Sequence, residues 1–522
     1  MNSSMTQMEG VSAEGGATWD EPGKGTWSGL GRRSTVLLMV GVIGSFQLAF
    51  LYPALCWLVL GYLVCLFELR RLATARLTFY VGMLVGLGVY VPPMQFLWTV
   101  FGGVAVPLWL ILALFHGVFL LVLNRVEARW GATCAAVMAP VLWCAIEYFR
   151  SEVWWLRFSW FTAGSMFQSG PQPFLATFGV YGDGLVCAAV AVTLTGLRRP
   201  SLKSVSGLGL TLSTVFALVW LCRTPLEENL VRSLRVAGVQ LEFPGVPEVR
   251  FALDRLEKNN PDAGLVLLSE HTFDGPVPEI VRAWCRKNRK WLVAGGKESL
   301  FDAGELASPA QPTGSRSDSQ RLPFWDDRSG DPFFNTAFVI NPQGETVFTQ
   351  AKSRPIQFFQ DGEPARQQRL WESPWGRLGI AICYNASCRR VMDVLVRAGT
   401  EALLIPTMDL EPWGSWQHQV NARMSRLRAL VYGVPLFRVA SSGVSQLIDR
   451  RGLVTASAPF PGSGEMIAGE LLLRPGGGTV PLDSWLAPTC TWMTLGIILW
   501  LLAGPWFKPL ARTGNLFLPL LF

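Results

Sequence analysis

The sequence predicts a multi-pass α-helical membrane domain joined to a polar α/β domain, and three observations lead there. Half of the 522 residues are hydrophobic, only 16% are charged, and 22 are Trp and 31 Phe. Soluble domains carry about 25% charged residues, and amphipathic rings gather where lipid meets water. Within residues 35–222 there are ten basic and five acidic side chains, confined to short islands between apolar runs. After that point the texture changes to short apolar runs alternating with helical patterns, which is α/β grammar. This composition excludes a disordered or fibrous chain, and a net charge of +7 is too modest for a nucleic-acid footprint.

Seven apolar runs, near 35–51, 53–67, 77–98, 104–123, 131–149, 174–196 and 205–222, each approach the roughly 20 residues that cross a bilayer core. An eighth lies near 489–506, so about eight membrane-spanning helices are expected. The step at Phe50–Pro53 reads as a tight turn, and Pro92 with Pro93 marks a kink in the third run. Arg32 and Arg33, then Arg70, Arg71 and Arg76, then Arg125 and Arg129, then Arg198, Arg199 and Lys203 all fall on one side of this zigzag. Basic residues stay on the cytoplasmic side of short loops. Only 150–172, with Arg150 and Arg157, dissents.

The expected organisation is therefore a disordered cytoplasmic tail (1–33), a seven-helix membrane domain (34–222), an extracytoplasmic domain (223–485), and an eighth helix with a cytoplasmic tail (486–522). Residues 1–31 are polar, without the apolar core of a cleavable signal, so the first helix would serve as signal anchor.

In the outer domain, strands are expected at 235–241, 264–270, 290–296, 335–344, 376–383, 401–407 and 433–441, and helices at 247–259, 277–288, 387–398 and 415–431. The Pro-, Ser-, Asp- and Gly-rich stretch 301–332 reads as an exposed insertion, because strand grammar resumes after it. Glu270 ends one apolar run, Cys383 ends another, and Lys352 follows a strand and its turn. Side chains just beyond strand carboxyl ends converge on the ligand crevice of α/β sheets. A thiolate nucleophile, a carboxylate that takes its proton and a cation facing the developing oxyanion perform acyl transfer through a thioester. Taken singly, each residue has a plainer role: Cys383 a small buried hydrophobe or half of a disulfide with Cys388, Glu270 a cap, Lys352 a solvated charge. Of ten cysteines, seven fall in or beside membrane runs, which argues against a disulfide framework. His116, His271 and His418 form no metal-ligand spacing, and no metal or cofactor is expected.

These residues, with "VAGVQ" at 236–240, "LLSE" ending at Glu270, "NTAFVINPQG", "GIAICYN" around Cys383, "PWGSWQHQVNARMSRLRAL" and the membrane segment "APVLWCAIEYFR", resemble the apolipoprotein N-acyltransferase family. That resemblance covers nearly the whole chain. It implies a nitrilase-like αββα sandwich for the outer domain, with Cys383 as nucleophile, Glu270 as general base and Lys352 as oxyanion stabiliser. Tyr384, Asn385, Gln360 and Trp413 would assist or bind substrate. A membrane phospholipid would donate an acyl chain to the amino-terminal amine of a diacylglyceryl apolipoprotein, at the bacterial inner membrane with the catalytic domain periplasmic. The chain departs from the family where carboxylates usually stand: Asn385 follows "CY", and "IQFFQDGE" holds Gln360. Lys352 is thus expected to lack charged support, with Glu363 the candidate substitute. Two further readings stay open: a membrane-anchored carbon–nitrogen hydrolase or amidase, and a catalytically weakened lipid- or lipoprotein-binding homologue.

Overall fold

The computed structural model describes residues 30–169, 173–196, isolated positions between 209 and 220, and residues 232–300, 332–357 and 359–503. The expected amino-terminal tail up to residue 29, nearly all of the seventh apolar run, the 301–332 insertion except its last residue, and the tail from 504 lie outside the described residues.

The membrane half begins with α1 (Arg32–Leu51), α2 (Leu58–Glu68), α3 (Ala75–Tyr90) and the short α4 (Phe96–Phe101), and continues with α5 (Ala105–Tyr148) and α6 (Pro173–Gly196). Among the described residues, four apolar helical stretches are long enough to cross a bilayer: 32–51, 92–153, 174–196 and 483–503. The second of these is 62 residues long, far beyond one crossing. It joins the expected fourth and fifth runs, and the helix is broken at Gly131, where φ is 87°. The third run breaks as its prolines predict, into α3, a 3₁₀ turn at Pro92–Met94, and α4. Helices α3 and α5 approach closely because both faces are small: a Cβ on Gly86 would lie 2.7 Å from the Cα of Ala113. Small residues of this kind let helices pack where lipid offers no hydrophobic drive.

The α/β half holds two six-stranded sheets. The first contains β1 (Arg232–Val239), β2 (Leu265–Leu267), β3 (Trp291–Ser299), β4 (Phe333–Ile340), β5 (Thr346–Ala351) and β12 (Met466–Leu473) in the order β12-β1-β2-β3-β4-β5. The second contains β6 (Leu370–Ser373), β7 (Gly376–Ile380), β8 (Ala402–Thr407), β9 (Leu436–Ala440), β10 (Ser445–Ile448) and β11 (Val454–Ala458) in the order β11-β10-β9-β8-β7-β6. Central pairs β1–β2, β2–β3, β7–β8 and β8–β9 are parallel, and the flanking pairs are antiparallel. Parallel strands are buried on both faces, and β2 and β8 are buried throughout, apolar but for Thr407.

Val236, Leu265, Leu267 and Val293 of the first sheet meet Leu378, Ile380, Leu404 and Phe437 of the second in one apolar layer. Outside the first sheet lie α7 (Val246–Asn259) and α8 (Glu279–Asn288), which close a second layer through Leu253, Leu256 and Trp284. Outside the second lie α9 (Arg389–Arg397) and α10 (Gly414–Tyr432). The order is helix, sheet, sheet, helix, the expected sandwich. On the α10 side the core does not stop at the domain surface. Leu395, Leu427 and Tyr432 belong to the same cluster as Phe46, Tyr62 and Leu120 of the membrane helices, so the sandwich is seated on the membrane half through one continuous apolar layer. The chain then leaves through α11 (Asp483–Ala503).

Candidate active site

The ends of β2, β5 and β7 deliver three side chains to one place. Glu270 follows β2, Lys352 follows β5 directly, and Cys383 opens the turn after β7; they are 2%, 1% and 6% exposed. All three line one small chamber, with His271, Asp361, Met408 and Trp413. The backbone of Lys352 still continues the sheet's pairing, its N–H donating to Asn335 O at 2.8 Å, so strand pairing aims the side chain. Cys383 has φ of +46°, the left-handed region, where a side chain with a Cβ costs roughly 1–2 kcal/mol. The sharp turn lifts the sulfur out of the strand and onto the cavity wall.

One ammonium is held between two carboxylates. Lys352 Nζ donates to Glu270 Oε1 at 2.7 Å and pairs with Asp361 Oδ2 at 2.7 Å. The expectation that Lys352 lacks charged support is overturned: Asp361 supplies the carboxylate one residue beyond Gln360. Gly362, at φ +79°, turns the chain there, and a Cβ on it would lie 2.7 Å from Asn335 N. Glu363 contributes its backbone, its N–H donating to Phe333 O at 2.8 Å. Gln360 lines neither the small chamber nor the larger cavity beside it. Asn385 is buried, but its Oδ1 accepts from Arg354 N at 2.9 Å, and so it shapes the loop after Lys352.

Burial alone would strip the charge from Lys352, but Asp361, Glu270 and Cys383 outweigh it and hold the ammonium above its ordinary range. Burial works against Asp361 too, and Lys352 and His271 overcome it, keeping that carboxyl well below the usual range. Burial and the Glu270 charge push the Cys383 thiol well up, against the opposing pull of Lys352. At rest the site therefore holds an ammonium, an ionised Asp361 and a protonated thiol, which needs a base before it attacks. Glu270 and Cys383 meet through the peptide groups of one residue: Met408 N donates to Glu270 Oε2 at 2.9 Å, and Cys383 Sγ donates to Met408 O at 3.6 Å. Behind them Asp409 is fully buried against Arg438, with Asn421 Nδ2 at 2.7 Å.

Glu270, His271 and Asp361 bring three potential ligand atoms within 4.8 Å of one another. The Lys352 ammonium already bonds both carboxylates, so the chain's own cation fills that position. His418, on α10, is fully buried and stacks on Phe460 with ring centroids 4.4 Å apart. Cys388 is a free thiol, as is Cys383, so the possible disulfide between them is absent. Burial pushes Cys388 up to about 12.

On its other side the thiol faces a partly open apolar cavity of about 140 Å³. Met94, Leu97, Val100 and Phe101 supply one wall from the segment around α4, Leu108 and Leu112 another from α5, and Tyr384 and Trp413 the wall beside Cys383. Tyr384 donates from its hydroxyl to Arg157 O at 2.8 Å, and the Trp413 ring lies tilted against Phe359, with centroids 6.0 Å apart.

The membrane half also fixes the turn that follows Cys383. Ser159 donates to Ser387 O at 2.9 Å and Trp160 Nε1 to Ser387 Oγ at 3.1 Å, while Glu152 Oε1 accepts from Arg389 N at 3.0 Å. This accounts for one of the two dissenting charges: Arg150 is 2% exposed, bonded to Trp160 O and set over the Tyr90 ring at 5.3 Å. Its charge serves this junction.

Fold and site together define an apolar helical region carrying a carbon–nitrogen hydrolase domain. Residues 41–193 match the family model described as the apolipoprotein N-acyltransferase N-terminal domain, and residues 265–473 match that of carbon-nitrogen hydrolase. The apolipoprotein N-acyltransferase of Geobacter metallireducens is 23% identical over 436 residues, 74% of this chain and 79% of that one. That of Shewanella oneidensis is 27% identical over 62% of this chain and 65% of its own length. That of Pasteurella multocida is 31% identical over 110 residues, 20% of each chain. Among solved structures, the nitrilase-superfamily protein Nit3 of Saccharomyces cerevisiae aligns with 46% of this chain and 90% of its own, at 19% identity and a TM-score of 0.36. The chain is thus similar to the apolipoprotein N-acyltransferases in both its helical region and its carbon-nitrogen hydrolase domain.

Sequence reasoning found Glu270, Lys352 and Cys383 and passed over Asp361, His271, Asn335 and the Met408 backbone. Asp361 sat inside the quoted "FFQDGE", and Asn335 opened the quoted strand "NTAFVIN".

Proposed function

We propose that this chain moves a fatty acyl group from a membrane phospholipid to the amino-terminal amine of a diacylglyceryl-cysteine lipoprotein, through a thioester on Cys383. The observation that carries this reading is the position of the thiol: it stands between a charged chamber and an apolar cavity walled by membrane helices. Glu270 takes the thiol proton as sulfur attacks the ester carbonyl. Lys352 faces the developing oxyanion. The sulfur–carbon bond forms, the ester carbon–oxygen bond breaks, and the departing lysophospholipid oxygen takes the proton back from Glu270. In the second half the lipoprotein amine attacks the thioester, Glu270 accepts the amine proton, and the thiol is restored as the amide forms. Trp413 and Tyr384 border the acyl path, and Asp361 and Asn385 hold Lys352 and its loop.

The same reading sets the α/β domain on the outer face of a bacterial inner membrane. Its support is the run of basic islands on one side of the zigzag, now that Arg150 is accounted for by burial. Mass spectrometry of lipoprotein amino-terminal peptides, in a host lacking its own enzyme, tests the whole. An added amide-linked acyl group is expected with the intact chain and not with Cys383→Ala. Free amino termini in both would overturn the transfer. For the orientation, a membrane-impermeant thiol reagent is expected to label an engineered cysteine near residue 315 in intact cells; labelling only after lysis would reverse it.

A further inference from the structure

Asn335 presents a single amide nitrogen to three acceptors. Its Nδ2 lies 2.6 Å from Glu270 Oε1, 2.7 Å from Asp361 Oδ1 and 3.0 Å from His271 Nε2. An amide nitrogen carries two hydrogens. Turning the group over would set its carbonyl oxygen against two carboxylates, so the nitrogen faces them. Bonds to ionised acceptors are about twice as strong as bonds to neutral ones, and both hydrogens go to the carboxylates. His271 Nε2 then stands beside a nitrogen with nothing left to give. A hydrogen on Nε2 itself relieves this, and its nearest carboxylate oxygen is Asp361 Oδ1 at 3.5 Å, with Glu270 Oε1 at 4.0 Å.

We propose that His271 is a positioning residue for the chemistry at Cys383, acting as an Nε2–H donor that closes onto Asp361. This rests on the acyl-transfer reading above. Catalytic hydrogen bonds are often long in the unliganded state and tighten when substrate is bound. Asp361 is then fixed by four donors: Asn335 and His271 on Oδ1, and Ile356 N at 2.7 Å and Lys352 on Oδ2. Held there, Asp361 shares the ammonium with Glu270. Were it to swing away, Lys352 would pair with Glu270 alone, and the base would be less able to take the thiol proton. The effect falls on the chemical step, because His271 does not line the apolar cavity.

Its backbone is left-handed, with φ of +51°, so the test compares two substitutions that meet the same strain. In His271→Gln the amide nitrogen reaches about where Nε2 lies; His271→Leu has no donor. Acylation of Cys383 by vesicles of phosphatidylethanolamine and phosphatidylglycerol is followed by intact mass, with melting temperature as the folding control. H271L is expected to lower kcat about tenfold or more with KM within about twofold, and H271Q to stay within about threefold of the unaltered chain. Equal loss in both variants, no loss in H271L, or a loss carried by KM would overturn the proposal. In an Asp361→Asn background, H271L is expected to add less than a twofold change, and a full independent loss would contradict the route through Asp361. Should H271L fail to fold, H271M, also without a donor, gives the same comparison. If the unaltered chain takes no acyl group from the vesicles, the function above fails separately. Labelling of Cys383 by a neutral haloacetamide then still decides the role of His271, by whether H271L slows it and H271Q does not.

Discussion

The two sides of Cys383 are built from opposite materials. On one side Glu270, Lys352, Asp361 and Asn335 exchange charge-assisted hydrogen bonds of 2.6–2.7 Å in a buried chamber. On the other, Met94, Leu97, Val100 and Leu112 offer only surface. The charged side comes from strand ends of the sandwich and the apolar side from membrane helices, so each half of the molecule contributes what the other lacks. On the proposed reading the difference separates rate from choice of substrate: charge would fix when the thiol reacts, and the apolar wall what reaches it.

Changes on the charged side are expected to have the largest effects. Cys383→Ala removes the atom proposed to carry the acyl group, and transfer measured with labelled phospholipid should fall by about 10⁴-fold or more. Lys352→Met and Glu270→Gln should each lower kcat by about 10²–10³-fold with KM nearly unchanged. A comparable rise in KM would show that these groups bind substrate and do not act in the transition state. Lys352→Met also leaves two buried carboxylates facing each other, with a cost on the order of 3–5 kcal/mol for a broken buried pair, so its folding must be checked by thermal melting.

The apolar side gives a middle-sized effect of another kind. Leu97→Trp fills part of the cavity, and competition between phospholipids of different chain length should shift toward shorter chains by about tenfold in kcat/KM. An unchanged preference would place the acyl chain elsewhere.

Titration sharpens the contrast further. The Cys383 thiol is raised by burial and by Glu270 and lowered by Lys352, so its reaction with a neutral haloacetamide should keep rising with pH beyond the range of an ordinary cysteine. Removing the Glu270 charge should move that rise to lower pH, and removing the Lys352 charge should move it to higher pH. The opposite order would contradict the arrangement. The smallest effect belongs to the junction: Tyr384→Phe deletes the bond to Arg157 O and should cost about 1 kcal/mol, read as a lower melting temperature.

How much of this was legible in the sequence follows the same division. Strands β2 and β7 are short apolar runs between turn residues, and Glu270 and Cys383 were found because strand ends converge; Lys352 was reached from β4 and its turn, although the strand it directly follows, β5, was not expected. Strands β5, β6, β10, β11 and β12 were not proposed: their burial alternates or is partial, as in Val454–Ala458 and Leu370–Ser373, and a short half-buried strand resembles a loop. Gln360 was named where Asp361 acts because the spacing gives the loop but not which of two neighbours turns inward. That depends on Gly362 and on the bond from Ile356 N to Asp361 Oδ2. His271 was set aside because histidines far apart in sequence suggested no cluster, whereas its partners are carboxylates brought in by folding. Arg150 was counted as a loop charge and proved to be a buried strut, a distinction set by tertiary packing.

The central claim is that Cys383, standing between charge and hydrocarbon, takes an acyl chain directly from lipid. Incubating the purified full chain with phospholipid vesicles and measuring its intact mass tests this most directly. A hydroxylamine-sensitive adduct of one fatty acyl group is predicted on the peptide containing Cys383, absent in Cys383→Ala and strongly slowed in Glu270→Gln. An unmodified Cys383 peptide after exposure to lipid, or an adduct that survives in Cys383→Ala, would contradict the account.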